Sequence, residues 1–169
     1  MTRIKKIIDA TVGTGPEEQW RLIGFYGEPR WEDKHLSWTY LCGLAQQTQI
    51  PWVVLGDFNE ILYSHEKEGG ASRPVSMMQR FRYAFVDCQL GDMGFLGDQF
   101  TWRHRRLHER LDRAVCNGPF RGLFLGVIVT NAPHIKSDDM PIVLDTDGAA
   151  GAEQHTRREQ RQLEARWLL

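Results

Sequence analysis

Two polar side chains, one residue apart, close a short apolar run in Pro51-Trp52-Val53-Val54-Leu55-Gly56-Asp57-Phe58-Asn59. Residues two apart on an extended strand point to the same side. Asp57 and Asn59 can therefore project together from the end of a buried strand. A carboxylate and an amide placed there suit a site that holds water, a metal ion or a phosphate. The same residue types also cap turns, and on these residues alone both readings stand. Other polar groups at the ends of expected strands are Tyr26, Asp112 and Ser137-Asp138. One concentrated basic stretch runs Arg103-His104-Arg105-Arg106-Leu107-His108-Glu109-Arg110, with Trp102 just before it. Arginines such as Arg103 and Arg105 suit phosphate contacts, and Trp102 can stack or wedge against bases. The alternative is a solvated hairpin with Trp102 in the core.

The elements that must carry these residues are readable in outline. Residues 3–12 alternate weakly and suggest a strand. Residues 11–18, with Gly13, Gly15 and Pro16, suggest a turn. The apolar and aromatic run 20–26 predicts a strand stopped by Gly27-Glu28-Pro29. Over 32–47, Leu36, Tyr40, Leu41, Leu44 and Ala45 recur at helical spacing. Pro51 opens the strand that delivers Asp57, and Phe58, Ile61 and Leu62 suit a short turn of helix or an ordered loop. The stretch 65–74, rich in charge and glycine, reads as a surface loop. Ser76 can cap a helix running to Cys88 with Met77, Phe81, Ala84 and Phe85 inward. Residues 100–102 and 110–112 read as two strands joined by the basic hairpin. A helical start at 120–125, strands at 126–131 and 141–144, and a helix or linker tail at 157–167 complete the pattern. Strands alternating with helices and hairpins indicate a layered α/β domain, and sites in such domains gather at strand ends.

Composition narrows the class. The chain has 169 residues, enough for one domain with a sizeable core. No apolar run is long enough to span a bilayer, and the basic start lacks a secretory apolar segment behind it. The three cysteines, Cys42, Cys88 and Cys116, make neither a paired disulfide set nor a zinc pattern. Reduced, buried thiols in an intracellular protein of nucleus or cytoplasm are expected. A net charge of −1 excludes a globally basic nucleic-acid binder but leaves room for a local basic patch.

Five blocks occur in a particular order: Tyr26-Gly27-Glu28-Pro29, Gly56-Asp57-Phe58-Asn59, Phe100-Thr101-Trp102, Arg110-Leu111-Asp112-Arg113 and Ser137-Asp138-Asp139-Met140-Pro141-Ile142. Their order and spacing resemble the endonuclease/exonuclease/phosphatase (DNase I-like) superfamily. The phrasing is most similar to the endonuclease domain of plant LINE-type non-LTR retrotransposons, and 163–168 resembles the segment leading toward a reverse transcriptase. The resemblance covers 7–144, so 1–144 is expected to be a partial domain and 145–169 a polar linker or helical tail.

The resemblance implies a four-layer α/β sandwich with two mixed sheets flanked by helices, of which this chain matches the C-terminal part. It implies Mg2+-dependent hydrolysis of a DNA phosphodiester. Asp57 matches the aspartate that orients or deprotonates the attacking water, and Asn59 the amide that holds water and phosphate. Tyr26 matches a phosphate-contacting hydroxyl and Asp112 the partner of the catalytic histidine. Asp138 matches the aspartate beside that histidine, near metal or water. The hairpin with Trp102, Arg103 and Arg105 matches one that grips DNA. Position 139 departs from the pattern: Asp139 stands where the family has histidine. An ionised aspartate cannot donate a proton to the phosphate, and loss of a general acid/base removes roughly 10²–10⁴-fold in rate. Neither His134 nor His104 lies in the motif. The family's metal-binding glutamate has no counterpart, since Glu17, Glu18 and Glu28 lie outside its motif. The expectations are weak or absent hydrolysis, at most a weak nucleic-acid-binding module in the alternative, no membrane association, and self-association through an uncovered sheet.

Overall fold

The computed structural model describes residues 7–47, 49–132, 141–148 and, for the backbone alone, 163–164. The strands are β1 (Ile7–Val12), β2 (Trp20–Tyr26), β3 (Trp52–Asp57), β4 (Lys67–Glu68), β5 (Gly91–Asp92), β6 (Leu96–Gly97), β7 (Trp102–His104), β8 (Leu107–Glu109), β9 (Asp112–Cys116), β10 (Ile128–Asn131), β11 (Ile142–Asp145) and β12 (Leu163–Glu164). The helices are α1 (Lys34–Gln46), α2 (Val75–Asp87) and α3 (Gly118–Leu123). A five-stranded sheet in the order β1-β2-β3-β9-β5 is mixed, with only β2 and β3 parallel. A second mixed sheet runs β12-β11-β10-β6, and a small third sheet runs β4-β8-β7.

Strand alternation decides how the layers stack. Ile23, Phe25, Trp52, Val54 and Val115 face α1 and α2, meeting Trp38, Leu41, Leu44, Phe81 and Phe85. Trp20, Val53, Leu55, Ala114 and Cys116 face the other way, meeting Phe120 of α3 and Val129, Ile142 and Leu144 of the second sheet. β3 is thus covered on both faces. That is why Val53, Val54 and Leu55 form an unbroken apolar run rather than an alternating one. The result is a helix layer on one mixed sheet that packs on a second, the α/β sandwich expected.

Several local expectations are corrected. The inward stripe of α1 is Lys34, Ser37, Trp38, Leu41 and Leu44, whereas Tyr40 is exposed. Two polar residues on the buried face disguise the stripe in the sequence. Helix α2 begins at Val75 after Pro74, with no side-chain cap from Ser76, and Met78 rather than Met77 is buried. The basic hairpin joins β7 to β8 through Arg105-Arg106, and Arg105 adopts a positive φ of 54°. Residues 110–111 form a corner rather than a strand: Leu111 O accepts from Phe58 N at 2.9 Å, and Arg110 N donates to Glu66 O at 2.9 Å. The Thr101 hydroxyl accepts from Leu111 N and Asp112 N at 3.0 and 2.9 Å and completes the bend. In the tail, Leu163–Glu164 pair with β11 as a strand.

Candidate active site

Strand register assembles the site. Tyr26 pairs with Asp57, and Asp57 pairs with Asp112. The three residues therefore lie side by side on β2, β3 and β9. By alternation they stand on the face turned toward the second sheet, at the rim of the space between the sheets. All three are half-buried, and none is without a partner. Gly56 makes this alignment possible. Its φ is 143°, and a Cβ there would meet Phe25 O at 2.1 Å.

Beyond Asp57 the chain turns tightly. Asn59 N donates to Asp57 Oδ1 at 2.6 Å, and Asn59 itself has φ 53°. Asp57 therefore does cap a turn, and the turn is what presents Asn59. The Asn59 Nδ2 donates to Gly27 O at 2.9 Å, while Gly27 N donates to Asp57 O at 2.7 Å. The exits of β2 and β3 are thereby laced together. A Cβ at Gly27 would meet Phe58 O at 2.4 Å, so glycine is needed at this crossing as well.

Beneath the turn lies a charged group that the sequence reading missed. Lys34, 4% exposed, donates from Nζ to the Asn59 carbonyl and stands 3.9 Å from Glu60 Oε2. Burial pulls the Lys34 ammonium below the usual lysine range. The charge of Arg73 acts in the same sense, against the carboxylates of Glu60, Asp57 and Glu109. Glu60 is fully buried. Its Oε1 accepts from Ile61 N and lies 2.9 Å from Arg73 Nε. Arg73 also bonds Glu109 Oε1 at 3.1 Å, and Lys67 reaches the same oxygen at 2.6 Å.

A second buried set lies under the corner at 110–112. Glu66 takes Arg110 at 2.9 Å and Arg113 at 2.9 Å, and Asp92 takes the same two arginines at 3.0 and 2.8 Å. Burial works to raise both carboxyls. The charges and hydrogen bonds of Arg113 and Arg110, with the N–H groups of Leu62 and Gly94, outweigh it and hold both below the usual carboxylate range. The stretch 65–74 is therefore no plain surface loop: Glu66 is buried, and the side chains of Lys67 and Arg73 are each 10% exposed. The available signal was a carboxylate and two cations near Gly69-Gly70, too similar to a solvated loop to single out.

The hairpin residues divide. Trp102 is half-buried against Ile61, Met78 and Leu111, with its ring stacked on His104 at 6.1 Å. Arg103 is held by Asp98 at 2.6 and 2.7 Å, and Arg105 is exposed at the hairpin tip. Ser137, Asp138, Asp139 and His134 lie outside the described residues.

The sequence matches the Endonuclease/Exonuclease/phosphatase family over residues 3–138. The chain belongs to the endonuclease/exonuclease/phosphatase family. Among solved structures, the fold resembles a 3'-5' exonuclease (NExo) from Neisseria meningitidis, with a TM-score of 0.64 and 19% identity over 83% of this chain and 64% of that one. It also resembles the endonuclease domain of TRAS1, a telomere-specific non-LTR retrotransposon, with a TM-score of 0.63 and 16% identity over 82% and 62% of the two chains. At these identities the likeness is one of fold. The chain spans less than two thirds of either structure's length. No curated protein matches by sequence.

The family generally uses divalent metal ions. Among the described residues, no group of three or more His, Cys, Asp or Glu side chains could hold one. The described part of this endonuclease/exonuclease/phosphatase chain does not by itself offer such a ligand set.

Proposed function

We propose that this chain is a retrotransposon-derived endonuclease-like domain, of the plant LINE type, that binds DNA inside the cell. In this reading its hydrolysis of phosphodiesters is weak. The observation that carries the reading is the register placing Tyr26, Asp57 and Asp112 at one level, with Asn59 tied to the β2 exit. Asp57 accepts a proton from, or orients, a water aimed at phosphorus. The Asn59 amide holds that water against the phosphate, and the Tyr26 hydroxyl meets a phosphate oxygen. Asp112 stands ready to orient a neighbouring proton carrier, but the histidine expected at 139 is aspartate. Arg105 and the hairpin supply cations for the DNA backbone.

The test combines binding and nicking. Fluorescence anisotropy at low salt should show labelled DNA retained by the chain. Supercoiled plasmid with Mg2+ should be nicked far more slowly than by an active family member, with Asp57→Ala removing what remains. A chain that retains no DNA at low salt overturns the reading. Nicking that survives Asp57→Ala overturns the role given to Asp57.

A further inference from the structure

Trp31 is a large aromatic with no place in the core. It is 49% exposed, on the short 3-10 turn Trp31–Asp33 that leads into α1. Tryptophan is usually well buried, so its surroundings matter. Two ties fix its position relative to the candidate site. Four residues before it, the Gly27 carbonyl accepts from Asn59 Nδ2 at 2.9 Å, and three residues after it, Lys34 donates to the Asn59 carbonyl. A third tie comes from below. The Arg73 guanidinium lies 5.0 Å from the Trp31 ring centroid, and Arg73 Nε stands 2.9 Å from Glu60, the residue after Asn59. Arg73 is itself locked between Glu60 and Glu109, with its side chain 10% exposed. The indole is thus backed by an ion-paired cation that reaches the residue after Asn59, with half its surface in solvent. A flat ring ordered before binding loses little side-chain entropy when a ligand covers it.

We propose that Trp31 is a stacking platform for one unpaired nucleobase of a DNA strand whose phosphate lies at Asn59. The inference rests on the DNA-binding reading above and adds the position and type of a base contact. Aromatic rings stack on any base without reading its edge. Trp31 therefore contributes affinity and placement rather than sequence choice. Exposed Arg30, immediately before it, places a cation beside the platform for the adjoining phosphate.

The experiment uses anisotropy of two labelled single strands in EDTA: oligothymidylate, and the same sugar–phosphate backbone without bases. Wild type should bind oligothymidylate roughly 5- to 100-fold more tightly than the baseless strand. Trp31→Ala should remove that preference while leaving the baseless strand unaffected, and Trp31→Phe should restore most of it. Far-UV circular dichroism should show the same melting for all three proteins, since the turn holds no buried residue. Equal binding of both strands by wild type, with Trp31→Ala unchanged, overturns the inference and leaves the DNA-binding reading intact. Equal loss on both strands in Trp31→Ala also overturns it, because a structural role does that. Failure of wild type to bind either strand overturns the function and the inference together.

Discussion

Replacing Glu66 by glutamine tests the second buried ionic set directly. The change keeps the side-chain shape and an acceptor for Leu62 N, which now donates to Oε2 at 2.6 Å, but removes the charge. Arg113, whose side chain is fully buried, and Arg110, at 8%, would then share Asp92 alone. Leaving a buried ion without its partner costs about 3–5 kcal/mol, a fifth or more of the roughly 5–15 kcal/mol by which a domain is stable. With a urea slope of about 2 kcal/mol/M, the Glu66→Gln midpoint should fall by about 2 M, read by circular dichroism and tryptophan fluorescence together. The acid side supplies an independent check. Glu66 and Asp92 have folded pKa values below their ordinary ones. The unfolded chain therefore binds more protons than the folded one across that interval, and stability rises with pH through it. Their contribution is fully present above about pH 5, past the ordinary carboxylate values, and is lost as pH falls through the folded values. The gap between wild type and Glu66→Gln should narrow over that window. A midpoint shift under about 0.5 M, or a gap that does not change with pH, would refute the assignment of this network as an integral part of the core.

Three further outcomes follow from particular contacts. Gly27→Ala should destabilise the chain by about 1–3 kcal/mol and weaken DNA binding, because a Cβ would strike Phe58 O at 2.4 Å; an unchanged urea midpoint would contradict the close crossing. Arg105→Ala should lower the salt dependence of DNA binding by about one phosphate contact, whereas Arg103→Ala, already engaged by Asp98, should lower it less; equal slopes for the two variants would refute the distinction. Cys42 and Cys88 have sulfurs 3.3 Å apart, and burial with the Cys42 hydrogen bond pushes the Cys88 thiol up. Hydrogen peroxide should join them, the two thiols giving two protons and two electrons and the peroxide becoming two waters. Mass spectrometry should show loss of two hydrogens, faster at higher pH and absent in Cys42→Ser.

The parts of the fold legible in the sequence are those whose physics is local. β2 is readable because an apolar aromatic run ends at Gly27-Glu28-Pro29, and β3 because its run ends at Gly56-Asp57. The nearness of Asp57 to Asn59 is local too. Lys34 was missed because a lysine on an inward stripe looks like a break in the stripe, and its acceptor is 25 residues away. Glu66 and Arg113 were missed for the same reason at 47 residues' separation. A charge reveals itself as buried only when its distant partner is known. The basic hairpin was placed correctly as a unit, but its strands were shifted. Long-range bonds from Phe58 and Glu66 convert 110–111 into a corner, and no local pattern encodes those bonds.

The shared arginines have a consequence for how such a sequence can drift. Arg110 and Arg113 each serve both Glu66 and Asp92, so any one substitution strands charges in a dry interior and threatens the fold itself. These four positions can change together or hardly at all. An exposed residue such as Arg105, at the hairpin tip, lies under a different constraint, because its replacement strands no buried charge. Substitution at the surface therefore leaves the fold in place, whereas a single substitution within the buried set does not. A lineage can vary widely at its surface and still carry the same buried charges, because those charges keep the chain folded.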